Sequence, residues 1–165
     1  MFNPYIEVIG YYYPNVQCHA SGVTYEDIIN DGTEPIPNKS ALDPLILSYH
    51  KNSVWQKIKV YRDTRLEHGG FKVGQYWFHS DIYAQSNYTD LLMMGANIPA
   101  NLMWKTMSGA FVLMTQTLAQ QILAAKSQQK SLTFIKAEQH RAAMEASSDP
   151  LNYDYSTGWP PIYGE

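Results

Sequence analysis

The sequence predicts an α+β fold in which helices and β-hairpins alternate along the chain. Three observations predict it. Gly74-Gln75 separates Phe71-Lys72-Val73 from Tyr76-Trp77-Phe78, a hairpin signal with a Gly-first turn. Met107-Ser108-Gly109 separates a second apolar pair, 102–106 and 110–114. Apolar residues recur at helical spacing before the first hairpin and after the second.

The elements follow in order. Tyr5 to Tyr13 is rich in Ile, Val and Tyr, which suit a pleated surface and predict a strand ended by Pro14-Asn15. Tyr25 to Asn30 predicts a second short strand, closed by Asp31-Gly32. Glu34-Pro35-Ile36-Pro37-Asn38 reads as an extended linker, because a proline keeps its predecessor out of the helical region. Residues 1–38 are therefore expected to form a β or extended arm. Ser40 then fits an N-cap, with Asp43 three residues on and Pro44 tolerated in the first turn. That helix should reach His68 before Gly69-Gly70, with Leu47, Val54, Ile58 and Tyr61 on one stripe. Ser80 or Asp81 caps a second helix that stops before Gly95. Thr115 or Thr117 caps a long helix to about Ser147, with Leu118, Ile122, Ala125, Leu132, Ile135 and Ala142 as its apolar stripe.

A lone hairpin is marginal in water. The two hairpins are thus expected to join in one small antiparallel sheet, covered on one face by the long helices. Alternate residues of Tyr76-Trp77-Phe78 should face that core. This α+β domain spans 39–149. An aromatic tail, 150–165, follows without helical period.

Composition narrows the function classes. Only 16% of residues are charged against 45% hydrophobic, and thirteen are Tyr. Low charge with many amphipathic rings fits a subunit of an assembly better than a free monomer. The net charge of -3 argues against binding nucleic acid through its phosphates. No run of eighteen apolar residues exists to cross a membrane. Met1-Phe2-Asn3-Pro4-Tyr5 lacks the basic start and apolar stretch of a secretory signal, so synthesis in a host cytoplasm is expected.

Catalytic and metal patterns are weak. Cys18 is the sole cysteine, and neighbours on a strand point to opposite faces, so Cys18-His19 makes a poor nucleophile pair. His19, His50, His68, His79 and His140 lack the i, i+4 or short Cys/His spacing of a zinc site. There is no Gly-x-Ser-x-Gly elbow, and Gly69-Gly70 precedes a strand instead of a phosphate-binding helix. The lysines and arginines of the long helices are interleaved with acids, as on ordinary solvated faces. The expectation is no enzyme activity, no cofactor and no metal.

The stretches Tyr61-Arg62-Asp63, Gly70-Phe71-Lys72-Val73-Gly74, Trp77-Phe78-His79-Ser80-Asp81 and Met94-Gly95-Ala96-Asn97-Ile98-Pro99-Ala100 carry a resemblance. With Trp104-Lys105-Thr106-Met107, Leu118-Ala119-Gln120-Gln121-Ile122, His140-Arg141-Ala142 and Gly158-Trp159-Pro160-Pro161-Ile162-Tyr163, they resemble an uncharacterised domain family of tailed-phage and prophage tail-region proteins. The resemblance covers roughly residues 40–165. It implies the helix, hairpin, helix, hairpin, helix order and a place in the virion tail beside fibre or baseplate proteins. It implies no catalytic residues.

The expected function is a non-enzymatic structural tail component, a homo-oligomer in a symmetric assembly that binds other tail proteins. A fibre-assembly chaperone absent from the virion, or a tail-tip glycan-binding module, are the alternatives. The expected interface residues are Tyr5, Tyr11, Tyr12, Tyr13 and Tyr25 in the arm, with Tyr153, Tyr155, Trp159 and Tyr163 in the tail. A competing account folds the tail back onto its own helices, with Trp159 as a plug.

Overall fold

A computed structural model describes residues 2–165. The fold is α+β, with four helices and three separate two-stranded antiparallel sheets among the described residues. The helices are α1 (Pro4–Tyr12), α2 (Lys39–His68), α3 (Ile82–Met94) and α4 (Gln116–Ala146). The strands are β1 (Cys18–Ala20), β2 (Ile28–Asn30), β3 (Phe71–Val73), β4 (Tyr76–Phe78), β5 (Met103–Lys105) and β6 (Phe111–Leu113). The expected order of helix, hairpin, helix, hairpin, helix is present from α2 to α4. The chain divides into two compact units, Met1–Gln56 with Met144–Tyr153, and Lys57–Ala143 with Asp154–Glu165.

The first unit corrects the reading of the arm. Residues 4–12 are helical, not extended. Asn3 caps them, its Oδ1 accepting from the backbone N–H of Tyr5 (3.0 Å) and Ile6 (3.4 Å). Pro4 takes the first turn, where its missing N–H costs nothing, and Glu7 meets the positive end of the helix. These three signals outweigh the β preference of Ile, Val and Tyr. Helical spacing then puts Val8 and Ile9 on the face buried with Leu42, and Tyr5, Tyr13, Val16, Tyr25 and Ile28 close around them. The strand expected at Tyr25–Asn30 shrinks to Ile28–Asn30 after a 3-10 turn at Tyr25–Asp27, and it pairs with β1.

The helix α2 also starts earlier than Ser40. Asn38 is the capping residue, accepting from Ala41 N at 2.9 Å and from Ser40 Oγ at 2.8 Å. Asp43 is not part of a capping box there; it accepts from Lys39 Nζ (2.8 Å) and Tyr5 OH (2.9 Å). Of the expected stripe, Val54 and Ile58 are fully buried, whereas Leu47 is exposed.

In the second unit both hairpins form as expected. Phe71 pairs with Phe78, and Met103 with Leu113. Gly74 (φ +58°) and Gly109 (φ +86°) supply the left-handed turn conformations that non-glycine residues avoid. The hairpins do not join in one sheet. A single main-chain bond links them, Met107 N–H to Trp77 O at 2.9 Å, and three-residue strands leave no length for a further ladder. Side chains stabilise them instead. Phe71 and Phe78 from one hairpin and Val112 and Met114 from the other share a core with Tyr88 and Leu91 of α3 and Ile122 of α4. Burying each of the larger side chains contributes roughly 1.5–3 kcal/mol, which lets marginal hairpins persist. Trp77 lies off that core, half-buried, with its ring 6.2 Å from that of Tyr163. Asp81 caps α3, accepting from Tyr83 N and Ala84 N at 3.0 Å each. Thr115 caps α4 through Leu118 N (3.1 Å).

The apolar stripe expected along α4 holds through Leu118, Ile122 and Ala125 and fails beyond them. Leu132 and Ile135 are exposed, while Thr133, Ala137, His140 and Met144 are buried. Spacings of four, three and four residues make that second set one helical face. Its small and polar members carried no hydrophobic signal.

Candidate interaction surfaces and the anchored tail

The nine aromatic residues expected at an interface fall into two groups. In the first unit, Tyr5, Tyr13 and Tyr25 support the core around Val8 and Ile9. Tyr5 packs edge-on against Tyr25 with centroids 5.5 Å apart, and Tyr25 OH donates to Pro37 O at 3.0 Å. Tyr11 and Tyr12 point outward, 56% and 38% exposed, and form an edge-to-face pair. Tyr11 OH also accepts from Asn52 Nδ2 at 3.2 Å. Tyr153 follows a 3-10 turn at Pro150–Asn152 and is half-buried.

In the second unit the tail folds back on its own helices. Trp159 is buried, tilted against Tyr61 (5.4 Å) and stacked on His140 (5.2 Å). Its indole Nε1 donates to Tyr155 O at 2.7 Å, so the ring's one polar atom is satisfied. Tyr155 packs edge-on against Tyr61 at 5.8 Å. His140 Nε2 donates to Thr157 O at 3.0 Å. Burial pushes the His140 imidazole below its usual value, and the nearby Lys136 charge adds to this, against the opposing pull of the Thr157 carbonyl and Asp154.

The end of the tail is tied down by charge. The Arg65 guanidinium is buried and grips both carboxylate oxygens of Glu165 at 2.7 Å. Arg65 Nη2 also donates to Pro160 O at 2.8 Å. This hydrogen bonding holds the Glu165 carboxyl below the usual carboxylate range. Tyr163 N–H donates to Gly69 O at 2.8 Å, and a Cβ on Gly69 would overlap Ile162 and the Arg65 carbonyl. Gly69 therefore does more than stop α2: its missing side chain admits the tail.

The surface the sequence reading did not single out is the outer face of β5–β6. Alternation sends Trp104 and Val112 inward and leaves Met103, Lys105, Phe111 and Leu113 outward. Phe111 is 62% exposed, and Met103 and Leu113 are about half exposed. The period-2 pattern of 102–114 was the available signal; it is apolar on both faces. As a two-stranded sheet, β5–β6 also leaves the outer edge of each strand without a ladder partner.

His19 and Asp31 form an exposed pair at 2.7 Å beside Cys18, whose thiol is raised by burial and by Asp31. Among the described residues, no group of three or more His, Cys, Asp or Glu is placed to hold a metal ion. No helix among them is long and apolar enough to cross a membrane.

These features define a small α+β domain with paired hairpins, an anchored aromatic tail and apolar side chains turned outward. Residues 49–157 match the family described as a domain of unknown function, DUF4376, and the chain belongs to that family. No curated protein and no solved structure matches it significantly.

Proposed function

We propose that the chain is a non-enzymatic structural component of a bacteriophage tail, built into the virion and working through contacts with fibre or baseplate neighbours. The outer face of β5–β6 carries this reading. Three large apolar side chains on one short hairpin, with open strand edges beside them, form a surface that association would cover. The outward pair Tyr11 and Tyr12 offers a second aromatic contact of the kind enriched at interfaces. The tail context rests on the sequence resemblance carried by residues 40–165. Neighbours in a rotationally symmetric particle would meet the same face in each copy.

The test is quantitative mass spectrometry of tailed particles purified from the host that encodes this chain. The proposal expects the protein at a fixed whole-number ratio to the other tail components. A protein abundant in lysates yet absent from washed particles overturns it and points to an assembly chaperone.

A further inference from the structure

The second unit contains an open cavity of about 420 Å³. That is the size of a site for a small organic molecule. Its walls come from the last turns of α2, the start of β3, the first turn of α3 and the middle of α4. Leu66, Phe71, Ile82 and Phe134 supply apolar surface.

The polar groups divide into spent and unspent. Ser80 Oγ accepts from Gly70 N–H (3.0 Å) and donates to Glu67 O (3.1 Å). Gln85 Nε2 donates to Ser80 O (2.7 Å), and Gln129 Nε2 to Pro161 O (2.9 Å). Asp63 takes the Arg62 guanidinium at 2.7 and 3.0 Å. The Glu67 carboxylate has only its neighbour His68, at 3.7 Å. Lys126 and Lys130 remain. They sit one turn apart on α4, both line the cavity, and no carboxylate of the described residues lies within ion-pair distance of either. Like charges at this spacing oppose each other. Burial of Lys126, followed by the Lys130 charge, lowers its amine from the usual value. An anion between the two ammonium groups would relieve both costs.

The remaining lining selects the anion. Asp63 and Glu67 also face the cavity, so a dianion would meet repulsion there. The Gly70 N–H is already bound, which removes the backbone donor that a phosphate would use. We propose that the cavity binds a monocarboxylate on an apolar body, its carboxylate held by Lys126 and Lys130 and its body against Phe134, Ile82 and Leu66. The site is separate from the contact surface proposed above and stands without it.

The experiment uses 4-phenylbutyrate and its uncharged analogue 4-phenylbutanamide, titrated into the full chain and followed by calorimetry and by ¹³C-methyl NMR. The expected result is saturable binding of the acid, shifts at the Leu66 and Ile82 methyls, and affinity weaker by about tenfold or more for the amide. Lys126→Gln with Lys130→Gln should abolish the preference for the acid while the thermal melt stays cooperative. Phe134→Ala should weaken acid and amide alike. Equal affinity for acid and amide, shifts confined to other methyls, or no saturation at millimolar acid overturns the proposal. So does a double-glutamine variant that still prefers the acid.

Discussion

The Trp159 indole lies stacked on the His140 imidazole, ring centroids 5.2 Å apart, thirteen residues beyond Ala146, where α4 ends. The pair joins the tail to its own helix. It makes an aromatic tail without helical period part of the second unit's core.

Trp159→Ala should therefore destabilise the protein by about 3–5 kcal/mol, the usual range for emptying a buried aromatic site. Trp77→Ala should cost less, roughly 1–2 kcal/mol, because Trp77 is half-buried off the main core. Urea melts of the two variants check the order. A larger loss at Trp77 would contradict this packing.

The same contact predicts a pH dependence. Burial depresses the His140 imidazole in the folded state, so the unfolded chain binds the proton more readily. The stability this supplies is present above the unfolded value of about 6.5 and is lost as pH falls through the lower folded value. Melting temperature should drop on acidification from pH 7 toward 5, and Trp159 emission should change over the same window. His140→Gln should flatten both curves; an unchanged slope in that variant would count against the assignment.

Arg65 and Glu165 predict a second acid-sensitive anchor. Glu165 is half-exposed, which limits its effect, yet its loss leaves a buried guanidinium short of its fork partner. Glu165→Gln should cost about 1 kcal/mol and expose the tail to proteolysis near Tyr163. Because the folded carboxyl is depressed, its contribution is present above the unfolded value of about 4.3 and disappears as pH falls through the folded one. Proteolysis rates equal to wild type at pH 7 would show that the fork does not hold the tail.

In the first unit, Asn3 is buried and uses both ends of its amide. Oδ1 caps α1, while Nδ2 donates to Gly22 O and Thr24 O, both at 2.9 Å. Asn3→Ala should cost about 2 kcal/mol, a lost cap plus two carbonyls deprived of a donor. Asn3→Asp keeps the cap but turns a carboxylate oxygen onto the Gly22 and Thr24 carbonyls in a buried site, so it too should melt below the wild type. Equal stability of all three forms would contradict the double role.

How much was legible depends on which physics dominates locally. Gly74-Gln75 and Met107-Ser108-Gly109 fix their turns by backbone conformation alone, so both hairpins were readable. Asp81 and Thr115 cap by local geometry and were readable too. The helix α1 is hidden by its Ile, Val and Tyr content, because the signals that decide it, Asn3, Pro4 and Glu7, are confined to its first turn. The buried face through Thr133, Ala137 and His140 was hidden because His140 meets Thr157 and Trp159 from the distant tail, and small or polar side chains give no periodic signal. The outward row Met103, Phe111 and Leu113 sits in a run apolar on both faces, and pattern alone does not say which side is covered.

The most direct measurement is incorporation of the double variant Phe111→Asp with Leu113→Lys into tailed particles, quantified by mass spectrometry against wild type. Both positions face outward, so the variant should fold and melt cooperatively like the parent. The account predicts normal amounts of soluble variant in the lysate and loss of it from purified particles. Incorporation of the folded variant at the wild-type ratio would contradict the claim that this face carries the protein into its assembly.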